Sequence, residues 1–171
     1  MPLHYVDPNQ HYGRWYRTLE KVGRSPKVQA ASRRVLWPID PWLYRVTGGR
    51  YPSILGGIST APLVSTGARS GLQRVHQLTY FHDGADPILV ASFMGSPTHP
   101  QWYHNLKKNP ECRFGGDDFT ASEVLDHDDY ERLFGLAEKV YGGYAQYRST
   151  AEAAGRRIPL FRLRASGPAS G

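Results

Sequence analysis

The stretch from Ala61 to Phe93, APLVSTGARSGLQRVHQLTYFHDGADPILVASF, decides the fold. Ala61 to Thr66, Val75 to Phe81 and Ile88 to Phe93 are short segments rich in β-branched, aromatic and aliphatic residues. They are separated by Gly67-Ala68-Arg69-Ser70-Gly71 and by Asp83-Gly84. Runs of this kind, bounded by residues that tolerate positive φ, read as a meander of strands. The second loop, taken through Asp86-Pro87, is longer than the tightest hairpin.

Toward the C-terminus, Pro100 opens a helix that ends before Pro110, with Trp102, Tyr103 and Leu106 at roughly helical spacing and Lys107-Lys108 at the end that favours cations. A strand from Phe119 to Leu125 follows a Gly115-Gly116 turn. From Asp128 onward, Tyr130, Leu133, Phe134, Ala137, Val140 and Tyr141 mark one face of an amphipathic helix, the clearest periodic signal in the chain. A strand from Ile158 to Leu163 closes the pattern, and the small, polar tail 166–171 is expected to be disordered. Strands in succession with helices inserted late predict an α+β fold, a mostly antiparallel sheet or small barrel with flanking helices.

Toward the N-terminus the character changes. Residues 1–42 form a basic, aromatic extension containing Arg14, Trp15, Tyr16, Arg17, Arg33, Arg34, Trp37 and Trp42, in which Val28, Ala31 and Val35 suggest one short helix stopped by Pro38. The uncharged run from Tyr51 to Ala68 is interrupted by Pro52, Pro62 and glycines and reads as loop plus buried strand rather than a membrane span.

The 171 residues, 40% hydrophobic, suit one domain. A net charge of +6 favours an anionic ligand or surface. Cys112 is the only cysteine, which excludes an intrachain disulfide or a cysteine-rich metal cluster and fits a reducing compartment. Met1-Pro2-Leu3-His4-Tyr5 lacks the pattern of a secretory leader, so a cytoplasmic setting is expected. The basic, aromatic extension is compatible with peripheral contact with the inner face of the plasma membrane. No nucleic-acid motif is present.

Phosphate-loop, dinucleotide-fingerprint and nucleophile-elbow patterns are absent. His99 and His104 have no carboxylate at a spacing that completes a metal site, and no metal is expected. Two segments are more informative. In Ser65 to Gly71, followed by Arg74, two glycines permit backbone amides to converge on an oxyanion while Arg69 and Arg74 supply bidentate donors. Taken alone, this segment reads sooner as a plain Gly-Ser turn between strands with solvated arginines. Ala91-Ser92-Phe93-Met94-Gly95 through Trp102-Tyr103 offers a hydroxyl, a flexible loop and an aromatic plate that would suit a flat heteroaromatic ring, although ordinary core is the commoner meaning. Tyr141, Tyr144 and Tyr147 recur every third residue and, on a helix, would present hydroxyl-tipped rings on one side.

Together these segments resemble the deazaflavin-dependent nitroreductase family of F420-dependent quinone and nitro reductases. The motifs that carry the resemblance are Ser65-Thr66-Gly67-Ala68-Arg69-Ser70-Gly71, Ala91-Ser92-Phe93-Met94-Gly95, Pro100-Gln101-Trp102-Tyr103-His104-Asn105-Leu106 and Asn109-Pro110. Leu43 to Arg50 and Ile158-Pro159 also look like the family, so the match covers roughly residues 43 to 163.

The resemblance implies a split β-barrel of the FMN-binding-like type over 43–165. It would bind coenzyme F420, a deazaflavin with a phosphate and an oligoglutamate tail. Ala68, Arg69, Ser70 and Arg74 would face the phosphate and tail. Leu78, Val90, Ala91, Ser92 and Phe93 would line the ring, Gln101, Trp102, Tyr103, His104 and Asn105 would complete the pocket, and Val75 and Gln77 would also belong to the coenzyme site. Ser92, Tyr141, Tyr144 and Tyr147 are the implied catalytic and acceptor-site residues. The implied reaction is hydride transfer to a small-molecule acceptor: a quinone, a nitroaromatic or an activated double bond.

Family members often carry basic residues where this chain has Ala68 and Phe93, and a proline where it has Gln77, which implies weaker tail contact or a reshaped acceptor pocket. An FMN-dependent reductase and a non-catalytic carrier of a deazaflavin, haem-like ring or lipid are the rival readings. A homodimer is compatible with either.

Overall fold

In the computed structural model, residues 3–9 and 59–166 are described. The Val28 to Val35 helix and the 51–58 part of the uncharged run lie outside them, as do residues 167–171 of the tail. The sheet contains β1 (Thr60–Thr66), β2 (Gln73–Asp83), β3 (Asp86–Val90), β4 (Glu111–Phe114), β5 (Asp117–Glu123) and β6 (Leu160–Ala165). They close as β1-β2-β3-β6-β5-β4 with every neighbouring pair antiparallel. The helices α1 (Gln101–Lys108), α2 (His127–Val140) and α3 (Gly143–Ala153) flank this barrel, and a 3-10 turn spans Phe93–Gly95. The expected α+β class and antiparallel split barrel are what the chain forms.

Alternation sets the faces. In β1, Ala61, Leu63 and Ser65 point inward while their neighbours are half-exposed. They join Phe81, Ile88, Leu89, Phe114, Leu160 and Leu163 in one core. On α2, Tyr130, Leu133, Phe134, Ala137 and Val140 are buried, as their spacing predicts, and full burial of a side chain such as Leu133 or Phe134 stabilises by about 1.5–3 kcal/mol. Asp126 caps the helix by accepting the Asp129 N–H at 2.8 Å. An ionic cluster fastens α2 to the barrel: Asp83 accepts from Arg132 and Arg162, each at 2.8 Å, and those arginines hold its carboxyl down at about 2.

Several expected boundaries move. Asp83 pairs with Asp86, so the hairpin is the tight two-residue kind, Gly84-Ala85, with positive φ at Gly84. Pro87 sits inside β3 and pairs with His82, although a longer loop was expected there. β3 stops at Val90 rather than Phe93, because the chain turns into left-handed backbone at Phe93 and Met94. The strand expected over Phe119 to Leu125 spans Asp117–Glu123, and the last strand spans 160–165 rather than 158–163. β4 and α3 had no strong periodic signal. β4 is only four residues long, and α3 buries little besides Gly143, Tyr144 and Ala151.

Of the expected 1–42 extension, residues 3–9 are described and lie against the barrel. The Val6 N–H donates to His82 Nδ1 at 3.0 Å, the His82 N–H donates to Val6 O at 2.9 Å, and Tyr80 Oη donates to His4 O at 2.7 Å. No helix among the described residues is long and apolar enough to cross a membrane.

Candidate functional site

The β1–β2 turn is held from beneath by α1. Gly67 N–H donates to Leu72 O at 2.8 Å and Gly71 N–H to Gly67 O at 2.9 Å, and a Cβ on Gly67 would lie 2.6 Å from Ser70 Oγ and 3.1 Å from Leu72 O, so a larger residue there would require the Ser70 side chain to shift. Asn105, fully buried, accepts the Ala68 N–H at 3.0 Å and donates to Ser65 Oγ at 3.1 Å. Lys108 Nζ and Asn109 Nδ2 then take the carbonyls of Ala68 and Thr66, at 2.7 and 3.3 Å. The amides of Arg69 and Ser70 and the guanidinium groups of Arg69 and Arg74 have no protein partner among the described residues, and all three side chains are exposed. Adjacent amides flanked by two guanidiniums, none of them partnered among the described residues, form a cationic cradle of the kind a phosphate or carboxylate enters.

Next to the turn, β2 is paired on one side only among the described residues. Gln73 to Thr79 bond to β1, and β3 joins β2 only from Tyr80. Val75, at 63% exposed, and the half-buried Gln77 and Leu78 lie along this stretch. β3 ends in the buried Val90 and Ala91, and the chain then passes through half-buried Ser92 to Phe93, which is 47% exposed. Positive φ at the non-glycine residues Phe93 and Met94, 44° and 55°, costs roughly 1–2 kcal/mol apiece. The Ser92 hydroxyl makes no hydrogen bond among the described residues.

Two elements hold this loop. Gly95 is pressed against α3, where an added Cβ would meet Tyr147 O and Thr150 Cβ at 2.9 Å each. From the other side Arg156, 6% exposed, donates to Ser92 O at 2.6 Å and Thr98 O at 2.9 Å, with Ala91 O at 3.5 Å and His99 Nδ1 at 3.3 Å. Burial pulls the Arg156 guanidinium below its ordinary value, and burial, Arg156 and His104 do the same to His99. Sequence reasoning passed over Arg156; its only signal was the Arg156-Arg157 pair before Ile158-Pro159, in which the first arginine is buried and the second exposed.

The tyrosines do converge. Tyr141 Oη and Tyr147 Oη are 3.3 Å apart, and the Tyr141, Tyr144 and Tyr147 rings sit with centroids 5.4 to 6.2 Å from one another. Tyr144 and Tyr147 lie on α3, which meets Gly95 through Tyr147 O and Thr150, whereas Tyr141, expected on the same helix, caps the C-terminus of α2 instead. Among the α1 residues, Gln101 and His104 are exposed, whereas Trp102 is 4% exposed with its ring against Phe161, so it packs the barrel rather than standing free as a plate. Tyr103 stacks on His99 at 4.2 Å. A cleft of about 250 Å³ lies beyond it, lined by His99, Tyr103, Glu123, Tyr130, Arg156 and Arg157 among others, and shares only Tyr103 with the expected cofactor residues. No group of metal-ligating side chains is assembled among the described residues.

Residues 37–164 match the profile of the F420H(2)-dependent quinone reductase family. The F420H(2)-dependent quinone reductase Rv1261c of Mycobacterium tuberculosis is 39% identical over 131 residues, covering 71% of this chain and 84% of that protein. A solved F420-H2 dependent reductase, FDR-A, superposes with a TM-score of 0.52 at 32% identity, over 61% of this chain and 93% of that one. A solved chain described as a domain-swapped dimer superposes at 0.57 with 28% identity, over 75% of this chain and 97% of that one.

Proposed function

Because the chain belongs to the F420H(2)-dependent quinone reductase family, we propose that it binds coenzyme F420 across the β1–β2 turn and the β3 exit and reduces a quinone. The observation that carries this reading is the cationic cradle. The Arg69 and Ser70 amides and the Arg69 and Arg74 guanidiniums, without partners among the described residues, fit the phosphate and carboxylates of the coenzyme, and Asn105 fixes the turn before any ligand arrives. Leu78, on the same face of β2 as Arg74, and Val90 to Phe93 at the β3 exit offer a mostly apolar flank for a flat ring, while Val75 and Gln77 lie on the opposite face of the strand.

When bound, the reduced deazaflavin supplies the hydride. The protein's part is to hold two rings in register and to stabilise negative charge on the acceptor oxygen. Ser92, with its hydroxyl uncommitted, and the Tyr141–Tyr147 hydroxyl pair are the groups assigned to hydrogen-bond and protonate that oxygen. No side chain need act as a nucleophile. Nitroaromatics and activated double bonds present the same demand and fall within the expected acceptor range. A homodimer belongs to this reading, supported by the relative described as a domain-swapped dimer. So does a cytoplasmic setting with peripheral membrane contact by residues 1–42, which would bring the site to lipophilic quinones.

The test is a titration of the protein with oxidised F420, followed by tryptophan fluorescence and calorimetry, with FMN as control. Trp102, buried on α1 three residues before Asn105 and packed against Phe161, is the reporter. Saturable, preferential F420 binding that weakens about tenfold in R69A and in R74A, with quinone reduction by the reduced coenzyme, is expected. Preferential FMN binding, or F420 binding without turnover, would replace this reading with the flavin or carrier alternative.

A further inference from the structure

We propose that Arg156 is a positioning residue that sets the Ala91–Thr98 segment in the geometry hydride transfer requires; the role rests on reading that segment as one wall of the coenzyme site. Arg156 is buried without a carboxylate partner among the described residues. A guanidinium taken from water normally sits against an acid, because its charge must be compensated and its planar donors satisfied. Here the donors are given to main-chain carbonyls at both ends of one loop, Ala91 and Ser92 where β3 ends and Thr98 before α1, while Nε has no partner.

That arrangement explains a conformation the local sequence does not favour. Phe93 and Met94 are held at positive φ where glycine would be relaxed, so the turn is imposed from outside, by Arg156 on one side and by Tyr147 and Thr150 against Gly95 on the other. With the Ala91 and Ser92 carbonyls drawn inward, the Ser92 hydroxyl is left uncommitted. A lysine could not reproduce this, since one tetrahedral ammonium lacks the planar fork that spans both ends of the loop. The side chain also borders the 250 Å³ cleft, so truncating it opens a path for a free guanidinium ion.

The first readout needs no coenzyme. Gly95 and Ser96 donate their N–H groups to Ser92 O and Phe93 O at 3.0 Å, and their hydrogen exchange reports the turn directly. In R156K and R156A these amides should exchange roughly tenfold faster or more while the β2 and β3 amides keep their protection, and millimolar guanidinium should restore R156A. In turnover, kcat should fall roughly tenfold to a hundredfold while KM for the reduced coenzyme, set by the Arg69–Arg74 turn, stays within about twofold. Should R156A not fold, R156K carries the same test. Unchanged exchange at Gly95 and Ser96, or loss of protection throughout the barrel without guanidinium rescue, would overturn the assignment. If the wild-type protein does not bind F420, the functional reading fails and the hydride-transfer role with it, and the exchange result still decides whether Arg156 sets the loop.

Discussion

Asn105 Nδ2 donates to Ser65 Oγ at 3.1 Å inside the protein, joining α1 to the last inward-facing residue of β1. The same side chain accepts the Ala68 N–H, so one buried amide fixes the shape of the cationic turn.

Replacing Asn105 with Ala therefore leaves a buried hydroxyl and a main-chain N–H without partners. N105A should lose about 1–3 kcal/mol of stability and weaken F420 binding, even though Arg69 and Arg74 are intact. Urea denaturation and calorimetric titration of the same preparation separate the two effects; binding at wild-type strength would show that the turn keeps its shape unaided.

A pH dependence follows from His82. Its Nδ1 accepts the Val6 N–H, which requires the neutral ring, and burial together with His4 lowers its pKa from 6.5. The unfolded chain then binds the proton more tightly than the folded one. The stability His82 contributes is present above pH 6.5 and declines as pH falls below it toward the lowered folded value. The protection factor of the His82 amide, which donates to Val6 O, should fall below pH 6 before the barrel unfolds, and H82F should remove that acid-sensitive step.

Gly95 has positive φ and no room for a methyl group beside Tyr147 O and Thr150 Cβ. G95A should cost about 1–3 kcal/mol and displace α3 from the loop. Near-ultraviolet circular dichroism, which reports the Tyr141, Tyr144 and Tyr147 cluster, should change with it.

Cys112 is buried, and burial, assisted by Glu111 and Asp118, pushes its thiol up to about 12. Alkylation by iodoacetamide at pH 8 should be very slow in the native protein and rapid in denaturant, because only the thiolate reacts. Fast native alkylation would mean that β4 opens readily.

The sequence by itself determined the strand meander, the amphipathic face of α2 and the α1 helix between Pro100 and Pro110. It also placed the glycine-bounded turn bearing Arg69 and Arg74. Each is written in local spacing: alternation along β1, a helical period along α2, proline and glycine at the boundaries. The motif residues were legible individually, but their division of labour was not. Asn105 and Trp102 read like ligand contacts and prove to be buried supports, because on an eight-residue helix the inward face is chosen by what the barrel presents to it.

The tertiary structure alone decided that β3 ends at Val90, that Phe93 and Met94 take left-handed backbone, and that Arg156 reaches back across some sixty residues to hold Ala91, Ser92 and Thr98. Nothing near residue 93 favours that turn and nothing near residue 156 announces its partner. Long-range packing can impose a locally disfavoured conformation when buried, charge-assisted hydrogen bonds offset its cost, and such bonds have no periodicity along the chain to betray them.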